Sequence, residues 1–330
     1  MSLMLIYLEK RAEEYEIAQS ILKKFPDAEV LRIDHYKNIF DKGIGNRELI
    51  PALIIAKDEH PNILDVPRDY WYPWKSFFFR SSLNCVFDCE YCYLKGNFKT
   101  KYPVIFVNYD DIKKSIKEKI EQLRDWWYQG QITFYASNYS DIQGLDSISW
   151  FNQAFIPFIE QFDNVLMETR TKSANVDSLL SVNDWIPFKN TEVSFSLNPE
   201  DIIEKFEKKT APLKTRIQAI NTLLNKWYKV GLRFLPLLPV EWYERLYKEF
   251  LEQIKQKIPL DKIHSIFIAS LIYNPWDYKI MQKKNEKSEL WNMVTLHENG
   301  LVKLPDEVFD TFVKIFKEAF PNNEIYFDFI

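Results

Sequence analysis

Residues 81–98 read SSLNCVFDCEYCYLKGNF and hold all three cysteines of the chain, Cys85, Cys89 and Cys92. Their spacing is C-x3-C-x2-C. Three thiols this close make no disulfide framework, because near neighbours close strained rings and one thiol is left over. Three thiolates on one short loop can instead hold three irons of a cubane cluster, leaving the fourth iron without a protein ligand and open to a reactive cofactor. A zinc site is the alternative, and it calls for a fourth protein ligand. His35 or His60 could supply one, although neither lies at a knuckle spacing.

The loop follows an apolar run at 77–80, the first of six; the others are 132–136, 165–169, 192–196, 232–237 and 265–270. Helical periodicity fills the intervals at 110–126, 150–162, 176–181, 214–229 and 241–257. Strands alternating with helices describe a parallel α/β sheet of βα units. Six units are too few for a closed eight-stranded barrel, so the expected fold is a partial (β/α)6 barrel over residues 76–272. Residues 1–75 read as an N-terminal α/β extension, with strands at 5–8, 29–33 and 53–56 and a helix at 10–24. Residues 273–330 read as a C-terminal helix–strand cap: a lysine-rich stretch at 283–287, a hairpin around Asn299-Gly300, a helix at 306–319 and a strand at 324–329. Barrels put their chemistry at the C-terminal ends of the strands, where the cysteine loop sits.

Composition narrows the function. With 46% hydrophobic and 27% charged residues the chain has enough apolar surface to fold, which excludes disorder as its main state. There are seven glycines, and the close pair Gly43 and Gly45 has no third glycine three residues on, so neither a dinucleotide fingerprint nor a P-loop can be written. No run of about 18 apolar residues is present, and the opening MSLMLIYLEKRAEEYE turns charged too early for a signal peptide. A cytoplasmic protein that does not engage a membrane is expected. The net charge of −4 excludes a protein that coats nucleic acid by bulk electrostatics, so any such contact is a local patch.

The cysteine spacing, with Tyr91 directly before the last thiol, resembles the signature of the radical S-adenosylmethionine superfamily. That resemblance implies a [4Fe-4S] cluster on Cys85, Cys89 and Cys92, with S-adenosylmethionine bound to the open iron and cleaved to a 5′-deoxyadenosyl radical. A closer resemblance, covering most of the chain, is to the spore photoproduct lyase family. IYLEKRAEEYEIAQSIL, EYCYLKGNF, YPVIFVNYDDI, ASNYSDIQGLD, TRTKSANVDSLL, FSLNPEDIIEKFEKKTAPLKTRI and PNNEIYFDF follow one another in the family's order. It implies a radical lyase that reverses a thymine photoproduct in DNA by taking a hydrogen from thymine C6, and a one-electron reductant such as flavodoxin or ferredoxin. Other readings are a divergent radical enzyme acting on another nucleic-acid or nucleoside substrate, and a zinc-bound nucleic-acid-binding protein without catalysis.

Carried onto this chain, the resemblance gives Ser140, Asp141, Lys172, Ser196 and Arg216 as cofactor-binding residues and Tyr91 and Tyr93 as a radical relay. The chain departs from the family at two places. Where the family carries the cysteine that returns the hydrogen, this sequence has Asn138, whose amide cannot donate a hydrogen atom. Tyr93 is then the expected donor; the plain alternatives are that both tyrosines only pack the cluster and that Asn138 only caps a turn. The second departure is the hairpin region, residues 291–301, which is less basic than the family's DNA wedge. Trp291 or Met293 is the expected apolar wedge, and Lys283, Lys284 and Lys287 are the expected phosphate contacts, unless that run is only a solvated face.

Overall fold

Alternation along the central strands builds the barrel. In Thr191–Ser196 the apolar Val193 and Phe195 point outward to the helices, while Glu192, Ser194 and Ser196 point the other way, and all six residues are buried. The computed structural model describes residues 4–41, 50–66, 74–136, 138–182 and 187–327. Gly43 and Gly45 and the last residues of the expected terminal strand lie outside the described residues.

Lys75–Phe78, Ile132–Tyr135, Val165–Thr171, Thr191–Ser196, Lys229–Phe234 and Ser265–Ile268 pair in sequential order, all parallel. Ile325–Phe327 adds a seventh parallel strand beside Ser265–Ile268, and Leu64–Asp65 closes the other side antiparallel to Lys75–Phe78. Among the described residues these two edges do not pair with each other, so the sheet is an open, partial (β/α)6 barrel. Helices cover its outer face at Tyr109–Asp125, Phe151–Ile159, Asp177–Ser181, Leu213–Asn225 and Tyr243–Lys257.

Several boundaries fall elsewhere than periodicity places them. The helix expected to reach residue 229 stops at Asn225, because Trp227 takes a left-handed conformation (φ 63°) and Lys229 already begins the next strand. That strand ends at Phe234, short of residue 237, since Pro236 brings no N–H to a ladder. The helix at 10–24 divides into a 3-10 turn, Lys10–Ala12, and an α-helix, Glu16–Lys24.

A second sheet runs Glu29–Ile33, Leu5–Glu9, Ala52–Ala56, Val104–Phe106, Ser82–Leu83. Its first four strands are parallel and Ser82–Leu83 is antiparallel. The cysteine loop therefore leaves from one strand of the N-terminal sheet and returns into its neighbour. Arg80 joins the two units by a two-pronged contact with the buried Asp58 at 2.9 and 3.1 Å. A small third sheet orders Ile272–Tyr273, Val302–Lys303 and Thr295–Leu296, the last two forming the hairpin around Asn299-Gly300. Gly300 sits at φ 82°, a conformation for which glycine carries no side-chain penalty.

Candidate active site

Asn84 sets the entry to the cysteine loop. It adopts φ 65°, and its amide nitrogen donates to the carbonyls of Thr100 (2.7 Å) and Tyr102 (3.3 Å) while its oxygen accepts from Cys85 N at 3.0 Å. Asparagine tolerates that conformation better than most side chains, and here its side chain ties the start of the loop to its end. On the far side, Cys89 and Asp88 pair antiparallel with Glu207 and Lys208. Two glycines admit close packing against the loop. A Cβ on Gly144 would meet Val86 and Phe87 at 2.9 and 3.2 Å, and one on Gly96 would meet the backbone of Asp277 at 3.1 Å.

The three thiols open onto one cavity of about 290 Å3 at the C-terminal ends of the barrel strands. Ten of the eleven residues expected from the sequence line it: Cys85, Cys89 and Cys92, then Tyr91, Tyr93, Asn138, Ser140, Asp141, Lys172 and Ser196. Arg216 does not. It lies fully buried behind the wall, with its guanidinium 2.7 Å from Glu207 and 2.8 Å from the carbonyl of Ser196. Glu207 also accepts from the hydroxyl of Tyr91 at 2.5 Å and from Asn198 at 3.0 Å. Burial works against the Glu207 carboxylate, but Lys172 and Arg216 prevail and hold it below the ordinary range. Burial pushes the Tyr91 phenol well above its usual value, and Glu207 and Cys89 add to that, so it keeps its proton.

Each polar wall residue has a defined posture. Asp141 caps the helix Ile142–Ser149 by accepting from Gly144 N at 2.8 Å. It also accepts from Thr171 Oγ1 and Lys172 N, both at 2.7 Å, which fixes the end of the Val165–Thr171 strand. The Ser140 and Ser82 hydroxyls share a 2.5 Å hydrogen bond. The Lys172 ammonium stands 5.7 Å from the centre of the Tyr91 ring. The Tyr93 hydroxyl donates to the Asn138 carbonyl and lies 3.4 Å from Oδ1 of the same residue. Burial raises all three thiols, Cys89 to about 12, so metal loading releases protons here.

Beneath the cavity the lumen holds a charge network that spacing alone did not announce. Arg233 contacts Glu168 and Glu192, each at 2.9 Å, His264 reaches Glu192 at 3.0 Å, and Arg170 meets Glu168 at 2.6 Å. The signal was present as alternating charge on neighbouring strands, Glu168-x-Arg170 beside Glu192 and Arg233.

The expected wedge at Trp291 is not available. Trp291 is buried, its indole N–H donates to the Asn285 carbonyl at 2.6 Å, and its ring packs on Tyr273 and Tyr278. The hairpin's exposed apolar residue is Leu296, 70% exposed. Tyr273, in the same small sheet, donates to the Tyr91 carbonyl at 2.8 Å and so ties the hairpin to the cysteine loop.

A family model described as spore photoproduct lyase matches residues 67–291. The chain belongs to the spore photoproduct lyase family. The match spans the cysteine loop and all six barrel units. A spore photoproduct lyase of Bacillus subtilis is 27% identical over 276 residues, covering 79% of this chain and 75% of the relative. One of Clostridium acetobutylicum is 26% identical, covering 77% and 74%. Among solved structures, a spore photoproduct lyase mutant with bound AdoMet and dinucleoside spore photoproduct superposes with a TM-score of 0.80 at 20% identity, over 100% of this chain and 99% of that one. A spore photoproduct lyase complexed with dinucleoside spore photoproduct gives 0.80 at 21% identity, over 98% of each. Family membership agrees with the resemblance of the sequence segments, and the superpositions agree with the partial barrel.

Proposed function

We propose that this chain is a radical S-adenosylmethionine lyase that reverses a spore-photoproduct-type thymine lesion in DNA. The observation that carries the reading is the meeting, in one cavity at the strand ends, of three thiols from one loop with Tyr91, Tyr93, Asn138, Ser140, Lys172 and Ser196. Relatives in the family are named for this repair, and two superposed structures contain the dinucleoside photoproduct.

The donor set fits a [4Fe-4S] cluster on Cys85, Cys89 and Cys92. A structural zinc site calls for four protein ligands, whereas three thiols from one loop leave one iron of a cubane free for a cofactor. Bound there, the cluster and S-adenosylmethionine would supply the 5′-deoxyadenosyl radical that the lyase reading requires for hydrogen abstraction at thymine C6. Lys172 would pair with the carboxylate of S-adenosylmethionine, and Ser140 and Ser196 would hydrogen-bond its amino-acid or ribose end. Asp141 positions Lys172 through the backbone. Arg216, held off the cavity, positions Tyr91 through Glu207. Tyr93 holds the hydrogen returned to the product, since its O–H faces Asn138, where the family places a thiol. Leu296, exposed on the hairpin strand opposite Val302, is the apolar side chain offered to a lesion-bearing duplex.

Anaerobically reconstituted protein should be brown with about four irons per chain and should convert the methylene-linked thymine dinucleotide to thymidine products; a colourless protein holding zinc would overturn the reading. Asn138 favours one second reading, the same radical applied to another nucleic-acid substrate. An intact dinucleotide alongside uncoupled 5′-deoxyadenosine would select it.

A further inference from the structure

Cys85 and Cys92 border two cavities. Besides the reaction cavity they line an outer one of about 720 Å3, so the cysteine loop is a wall shared by both. The outer cavity is cationic: Lys95, Lys99, Lys101, Lys209 and Lys284 face two acids, Asp88 and Glu90. In a chain of net charge −4 this excess is local. Between the lysines lie apolar groups, Val86, Phe87, Phe98 and Met281.

The rim is held in place by its own bonds. Lys95 pairs with Asp88 at 2.7 Å, Lys284 donates to the Lys95 carbonyl at 2.7 Å, and Asn285 donates to Glu90 at 2.8 Å. Lys99, Lys101 and Lys209 are exposed. An apolar centre ringed by one sign of charge suits a transient encounter, in which charge steers the partner and a small contact lets it leave.

We propose that this face docks a small acidic protein that carries one electron on a flavin or iron–sulfur centre. The inference rests on the radical reading of the site, which requires an electron from outside. One electron leaves the reduced carrier, crosses the loop beside Cys85 and Cys92 and enters the cluster. The carrier is oxidised by one electron, the cluster is reduced by one, and no proton or covalent bond is exchanged at the docking face. Nucleic acid is the less suited occupant, because these five lysines line the outer cavity and none of them lines the reaction cavity in which a lesion would have to sit.

The test uses the reconstituted chain, a bacterial flavodoxin as probe, and the triple variant Lys99→Glu, Lys101→Glu, Lys209→Glu. Flavodoxin affinity, measured by titration at low salt, should fall at least about tenfold in the variant. Cluster bleaching by reduced flavodoxin should slow by a similar factor, while bleaching by dithionite and affinity for lesion-bearing duplex stay at wild-type values. Unchanged flavodoxin binding, or a loss of duplex affinity in its place, would overturn the assignment. The lyase reading fails separately, if dithionite-reduced wild type leaves the thymine dinucleotide unconverted; flavodoxin affinity is read without any turnover.

Discussion

The hydroxyl of Tyr93 donates to the backbone carbonyl of Asn138, a residue 45 positions away that stands at the end of a different barrel unit. Tyr91, two residues earlier, turns its hydroxyl the other way, onto the buried Glu207. The two phenols flanking Cys92 thus have different partners, Glu207 in the wall for Tyr91 and Asn138 for Tyr93, and the proposed donor role rests on the second. Tyr93→Phe should divert turnover of the thymine dinucleotide to abortive products, and adding Asn138→Cys should restore thymidine. Product analysis by liquid chromatography checks both. A wild-type product spectrum from Tyr93→Phe would remove Tyr93 from the pathway.

Arg216 and Glu207 are each fully buried and bonded to each other at 2.7 Å. Glu207→Gln leaves a guanidinium without its counter-charge, a change that costs about 3–5 kcal/mol when no other partner steps in. Urea denaturation should show that loss. The structural role predicts a further sign, weaker retention of the cluster, because Glu207 also pairs with Cys89 in the short ladder holding the loop.

The lumen network gives the protein an acid limb. Burial opposes the Glu192 carboxylate, but Arg233 and then His264 and Ser265 hold it well below the usual carboxylate range. A depressed folded-state pKa means stability that is present above the unfolded value, about 4.3, and lost as pH falls toward the folded one. Urea midpoints measured from pH 7 to pH 3 should decline below about pH 4.5, and Glu192→Gln should flatten that decline while lowering the neutral-pH value. Parallel curves for the two proteins would contradict the assignment.

Leu296 stands 70% exposed on the hairpin, far more open than Trp291. If it wedges the duplex, Leu296→Asp should weaken binding of lesion-bearing duplex several-fold, with turnover of the free dinucleotide unchanged. Fluorescence anisotropy and a dinucleotide assay separate the two effects.

How far the sequence reaches can be seen residue by residue. The cysteine loop and the six strands were readable because spacing and alternation are local: a strand such as Thr191–Ser196 sets Val193 and Phe195 on its helix-facing side between polar residues. Val104–Phe106 was not readable as a strand: three residues show no period, and its place beside Ala52–Ala56 is set by pairing across 50 positions of chain. Ile325–Phe327 was read as a strand, but its place in the barrel sheet beside Ser265–Ile268 is set in the same way, by pairing between distant parts of the chain. Arg216 was singled out by resemblance, yet its partner Glu207 was not, because a buried ion pair leaves no mark in composition. Trp291 read as an exposed wedge because burial by Tyr273 and Tyr278 is a tertiary fact.

The central claim is that a radical formed in this cavity takes hydrogen from thymine C6. It is tested most directly by single turnover of reconstituted protein with S-adenosylmethionine and a dinucleotide photoproduct deuterated at that carbon. The account predicts deuterium in the 5′-deoxyadenosine recovered and thymidine formed alongside it. Unlabelled 5′-deoxyadenosine with the dinucleotide intact would contradict it.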